Sequence, residues 1–160
     1  MVQYTGKKDE VEQMLELAKQ TLKEGVSCVA ARDGAVLAAR TGSEIAPLLA
    51  LYEASPELLA GASVADKVIG RAAATVLVMA GVREVYGEIM SVHGAQQLSA
   101  HGIACSCGTE VPRIDNRAKD GMCPMEQSSF AGDSVEENYA SLRAFITARD
   151  ARLAAQAKQG

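Results

Sequence analysis

The sequence predicts an α/β fold in which a mixed sheet is covered by helices on both faces, a three-layer α/β/α sandwich. Two observations carry this expectation. One is an early hairpin signal, Asp33-Gly34 between two short strand-like runs, and the other is a later alternation of strand-like and helical segments. A third observation is scale: 160 residues, 48% of them hydrophobic, suit one domain with a sizeable core. With no internal repeat and no low-complexity linker, residues 1–160 read as a single domain.

The elements follow in order. Val11, Met14, Leu15, Ala18 and Leu22 have helical spacing over residues 9–24, and Gly25 closes that helix. Ser27–Arg32 and Ala35–Arg40 form the hairpin around Asp33-Gly34. Residues 44–54 predict a helix with Pro47 in its first turn, and Pro56 with Leu58–Ala62 a short connection or broken helix. The spacing then predicts one helix over Val64–Ala80, opened by a capping box of Ser63 and Asp66 and stopped by Gly81. Glu84–Met90 and Ile103–Val111 read as strands around a short helix, Ala95–Ala100, that Gly102 ends. After a polar loop over Pro112–Gly121, Pro124 opens a helical turn. Ser134 with Glu137 then caps a long C-terminal helix to Arg149 or beyond.

Composition excludes several functions. A net charge of -4, no Lys/Arg run, no Trp and an aromatic fraction of 4% give neither an electrostatic footprint nor stacking platforms for nucleic acid. Met1–Lys8 has no apolar h-region and reads as an exposed arm, and the longest apolar run, Ala72–Val82, is too short to span a bilayer. The expected setting is therefore cytoplasmic, with neither membrane nor nucleic acid as partner and the four cysteines reduced.

Two places carry unusual chemistry. Lys67, in the first turn of the expected helix, opposes the helix dipole, and Arg71 one turn on adds like charge. Such a pair suits an anion or carboxylate, with Asp66 as counter-charge or general base. The plainer reading has Asp66 capping the helix while Lys67 and Arg71 face solvent. Gly70, inside that helix, costs about 1 kcal/mol relative to Ala and implies close packing against a strand or ligand.

The second place is Gly121-Met122-Cys123-Pro124-Met125-Glu126. Pro124 at a first helical position makes Cys123 the N-cap and Glu126 the third residue. A thiol at a helix start is a reactive thiolate or metal ligand, or simply a small residue beneath a turn that Glu126 caps. Cys105 and Cys107 share one side of a strand and, with Cys123 and His93 or His101, give a metal site as a minor alternative. Their spacing matches no Cys-x-x-Cys knuckle. P-loops, Gly-x-Gly-x-x-Gly turns and nucleophile elbows are absent.

Ala65-Asp66-Lys67-Val68-Ile69-Gly70-Arg71-Ala72-Ala73-Ala74, together with Asn116-Arg117 and Gly121–Glu126, resembles the paired motifs of a bacterial domain-of-unknown-function family with a cytidine-deaminase-like fold. The similarity runs from about residue 9 to residue 148. It implies a site at the N-termini of the central helices and no settled activity. Zinc deaminases carry His-x-Glu or Cys-x-Glu at one helix start and Pro-Cys-x-x-Cys at the next. Here the corresponding stretches read Asp66-Lys67-Val68 and Ser91-Val92-His93-Gly94, which disfavours zinc-dependent deamination.

The expectation is then a site for an unknown small molecule, an anion among the candidates, with no cofactor, lined by Asp66, Lys67, Cys123 and Glu126. Lys67 would hold an anionic or carbonyl group, Cys123 would act as nucleophile or redox thiol, and Asp66 or Glu126 would move protons. The alternatives are a non-catalytic ligand sensor or homo-oligomeric scaffold, and a metal protein using Cys105, Cys107 and Cys123.

Overall fold

A computed structural model describes residues 13–23 and 25–159. Helix α1 runs over residues 13–22; its expected start at residues 9–12, and the arm at residues 1–8, lie outside the described residues. Strands β1 (Cys28–Arg32) and β2 (Ala35–Arg40) pair antiparallel. The turn between them has positive φ at both Asp33 (54°) and Gly34 (87°), a pairing whose twist matches that of the strands it joins. Helix α2 (Ala46–Ala54) has Pro47 in its first turn, and a 3-10 turn, Pro56–Leu58, leads to β3 (Ser63–Ile69). There follow α3 (Arg71–Ala80), β4 (Glu84–Ser91), α4 (Val92–Ala100), β5 (Ala104–Val111), α5 (Pro124–Ser128) and α6 (Val135–Gln159).

The sheet has the order β2-β1-β3-β4-β5. β1 is antiparallel to β2 and β3, and β3, β4 and β5 run parallel. Neighbouring residues divide between its faces, as a period of two requires. Cys28, Ala30, Val64 and Val85 pack with Leu48, Leu77, Leu98 and Leu142 of α2, α3, α4 and α6. Val29, Ala31 and Ala65 pack beneath Ala18 and Leu22 of α1. The mixed sheet and three layers are those expected.

One expected element is wrong. Val64–Ala80 is not one helix but a strand, a break at Gly70, and a helix. β3 lies between β1 and β4, and its first four residues, Ser63–Asp66, are all buried, so no alternation marks that stretch as a strand. The alanines of 65 and 72–74 imitate a single helical pattern, while Val64, Val68 and Ile69 favour a strand. Ser63 consequently caps nothing; its hydroxyl donates to Glu84 at 2.7 Å. Lys67 is a strand residue, so the argument that it opposes a helix dipole falls. Gly81, in the left-handed region (φ 70°), ends α3 as expected.

At the start of α6, Glu137 N–H donates to Ser134 Oγ at 3.1 Å, while the Glu137 carboxylate accepts from Asp133 N–H at 2.7 Å. Among the described residues no helix is long and apolar enough to cross a membrane.

Candidate functional site

Asp66 stands at the middle of β3, beside Cys28 on the neighbouring antiparallel strand. It is only 6% exposed, although a carboxylate is costly to bury. Burial pushes its carboxyl up to about 7, against the pull of hydrogen bonds from Val68, Cys28 and Lys67. The Val68 N–H reaches Oδ1 at 3.2 Å. Burial, reinforced by Asp66, drives the Cys28 thiol well above its ordinary range, so this cysteine stays protonated. A carboxyl poised near neutrality suits a general acid or base.

The start of α3 is built around Gly70 and Glu126. A side chain at position 70 would place its Cβ 2.5 Å from Glu126 Cδ, closer still to Oε1, and 2.7 Å from Ile114 Cγ1. Because position 70 is glycine, Glu126 can approach, accepting from Arg71 N–H at 2.7 Å and Ala72 N–H at 2.6 Å. These are two of the donors that a helix start leaves without intrahelical partners, and a carboxylate there also complements the helix dipole. Glu126 therefore caps α3, not its own turn, and both its oxygens are engaged. Burial raises its pKa, while these hydrogen bonds and the charges of His93 and Arg71 pull the other way. Arg71 itself donates from Nε to Ser129 O at 2.9 Å and lies over the Phe130 ring at 4.3 Å.

Cys123 arrives by a different route. An isolated bridge between Asp115 and Met122 folds the loop back, and Cys123 N–H donates to Ile114 O at 2.9 Å. Pro124 then begins α5 with Cys123 at the N-cap, as the sequence predicts, although its thiol makes no capping hydrogen bond. Half-buried Cys123, Asp66 and Glu126 line one cavity of about 290 Å³, with Gly70, Ala72 and Ile114. A second cavity of about 540 Å³ shares Glu44, Asp115, Cys123 and Met125 with the first and adds Arg117, Arg149 and Arg152.

Three of the four sequence-predicted residues thus meet. Lys67 lines neither cavity. Cys105 and Cys107, on β5 opposite Val85 and Gly87, do not line them either. Among the described residues no group of three or more His, Cys, Asp or Glu side chains is disposed to hold a metal ion. With the boundary of α3 corrected, its start reads Gly70-Arg71-Ala72, and that of α4 Ser91-Val92-His93-Gly94. Neither supplies the ligands or catalytic Glu of a zinc deaminase, so these residues do not fit that metal.

Sequence reasoning missed Cys28, Glu44 and Arg149. Cys28 had a faint signal, being on a strand beside a strand that holds an acid. Glu44 and Arg149, 105 residues apart, had none.

A family model described as a domain of unknown function (DUF1893) matches residues 16–146. No curated protein matches the sequence. The crystal structure of a DUF1893 family protein from Thermotoga maritima matches with a TM-score of 0.74 at 23% identity, covering 82% of this chain and 89% of that one. RibD from Acinetobacter baumannii matches with a TM-score of 0.41 at 26% identity, over 61% of this chain and 34% of that one. An apo dCMP deaminase from a cyanophage matches with a TM-score of 0.42 at 14% identity, over 62% of this chain and 95% of that one. The chain belongs to the DUF1893 family of domains of unknown function.

Proposed function

We propose that this chain binds a small molecule in the cavity between β3, α3 and the 114–126 segment, and acts on it by zinc-independent acid–base chemistry. One observation carries the reading: a buried carboxyl, Asp66, and a half-buried thiol, Cys123, line the same cavity of about 290 Å³. That volume is near the lower end for small-molecule sites. In this reading Cys123 is the nucleophile and Asp66 handles the proton. The sulfur forms a bond to an electrophilic carbon, the carbon–heteroatom π pair moves onto the heteroatom, and the thiol proton passes to the Asp66 carboxylate. Glu126 has a positioning role, because both its oxygens hold the start of α3. Lys67, outside the cavity, has no part in it.

A thermal-shift screen of metabolites, followed by turnover assays on each hit, tests this reading. A ligand that stabilises the wild type, slows iodoacetamide alkylation of Cys123 and is converted by the wild type but not by Cys123→Ser supports it. Stabilisation without conversion, unchanged in Cys123→Ser, refutes the catalytic part and leaves a sensor.

A further inference from the structure

The outer cavity gathers three guanidinium groups with too few anions for them. Glu44 serves two at once, standing 3.4 Å from Arg149 Nη1 and 3.8 Å from Arg117 Nη2. Both distances are long for charge-assisted hydrogen bonds. Asp115, the other acid in the wall, is held by Arg113 at 2.8 Å. Outside the cavity wall, Asp150 stands 3.6 Å from Arg149 Nη2. Arg152 has no ion pair among the described residues, and the buried Nε of Arg149 has no hydrogen-bond partner there. A buried donor without a partner is an expensive feature to keep.

The backbone adds an independent sign. Glu44 has φ 58°, a left-handed conformation that is uncommon for a residue other than glycine. It projects a carboxylate toward Arg149 and Arg117 from the wall that both cavities share. Strained residues that present a polar group at a cavity are often functional.

We infer that the outer cavity is an oxyanion subsite in which Arg149, Arg152 and Arg117 hold the phosphate of a phosphomonoester whose remainder reaches the inner cavity. Phosphate fits better than a carboxylate. It has three terminal oxygens and close to two charges near neutrality, and guanidinium forks engage such oxygens in pairs. Glu44 is then a tethered anion that the phosphate displaces from Arg149. The inference deepens the proposed function and rests on it for the link to Cys123, but phosphate binding itself does not require a reactive thiol.

Calorimetric titration with phenyl phosphate tests it, with inorganic phosphate and benzoate as parallel probes. Arg152→Gln, at an exposed position, lowers phenyl phosphate affinity about tenfold or more, as does Arg149→Gln. Glu44→Gln changes it in the opposite direction, tightening binding several-fold, which a merely structural role for Glu44 does not produce. Arg143→Gln, which breaks a pair with Glu53 outside the cavity, leaves it unchanged. Phenyl phosphate also slows alkylation of Cys123 in the wild type and not in Arg152→Gln.

Failure of phenyl phosphate to bind, equal loss in Arg143→Gln and Arg152→Gln, or weaker binding in Glu44→Gln overturns the subsite. Benzoate binding as tightly as phenyl phosphate overturns the choice of phosphate. Phosphate binding that leaves Cys123 alkylation unchanged overturns the link between the cavities. None of these results removes a metabolite that binds the inner cavity alone, so the two readings fail separately.

Discussion

Replacing Gly70 by alanine should be far more costly than its place at a helix start implies. Ala is a poorer N-cap than Gly, a difference of up to about 1 kcal/mol, and φ at residue 70 is -102°, so no backbone strain is added. Sterics decide the outcome. The new methyl would stand 2.5 Å from Glu126 Cδ and 2.7 Å from Ile114 Cγ1, so the carboxylate must leave. Its departure breaks two charge-assisted hydrogen bonds, to Arg71 N–H at 2.7 Å and Ala72 N–H at 2.6 Å, in a setting where Ala72 is buried. At about 1.5–3 kcal/mol for each, the loss is about 3–5 kcal/mol after partial resolvation. That is a large fraction of the stability of a domain of this size.

The assay is urea unfolding of wild type, Gly70→Ala, Glu126→Ala and the double variant. Because both substitutions remove the same carboxylate from the same place, the double variant should cost little more than Glu126→Ala. The residue of the effect is the contact with Ile114. The coupling energy should be about 2 kcal/mol or more. A Gly70→Ala cost of about 1 kcal/mol or less, or costs that simply add, refutes the capping argument.

Other perturbations follow from the same geometry. The Asp66 carboxyl moves from 3.8 in the unfolded chain to about 7 in the native one. Between those values the native state keeps a proton that the unfolded chain has released. Stability is therefore highest below the lower value and falls as pH rises through the upper one, by on the order of 4 kcal/mol. In Asp66→Asn that fall should disappear, so the variant gains on the wild type in urea unfolding as pH is raised. Ser91→Ala should cost about 1 kcal/mol, because the Ser91 hydroxyl accepts from Gly94 N–H at 3.0 Å at a buried start of α4; thermal unfolding measures it. Lys67→Gln should leave both phenyl phosphate affinity and the alkylation rate of Cys123 unchanged, since Lys67 lines neither cavity.

What was legible in the sequence was what depends on neighbours along the chain. Asp33-Gly34 announces its turn because both residues tolerate positive φ, and Gly81 announces the end of α3 for the same reason. Pro124 places Cys123 at an N-cap by local geometry alone. The failure at residues 64–69 has an equally physical origin. Where a central strand is buried on both faces, as over Ser63–Asp66, it has no polar side to alternate with, and Ala65 joins Ala72–Ala74 in a pattern that suits a helix equally well.

That mistake carried Lys67 into the expected site, since its charge looked anomalous only on a helix. Gly70 implies close packing, but nothing along the chain shows that its partner is Glu126, a contact made only when the sheet and α5 are assembled. The meeting of Asp66 with Cys123 has the same character. The two motifs indicated where to look, while the cavity between them is a product of topology. Glu44 and Arg149 were silent because a salt bridge across 105 residues leaves no trace in either local pattern.

The central claim is that Asp66 and Cys123 belong to one site. Its most direct test is the rate at which iodoacetamide alkylates Cys123, read from the Cys123 peptide by mass spectrometry, as pH is varied across neutrality in wild type and Asp66→Asn. In the proposed chemistry the ionised Asp66 carboxylate takes the Cys123 thiol proton, so the wild-type profile should climb through an added step where Asp66 titrates, at about 7. The Asp66→Asn profile should rise through that region without the inflection. Superimposable profiles would contradict the shared site.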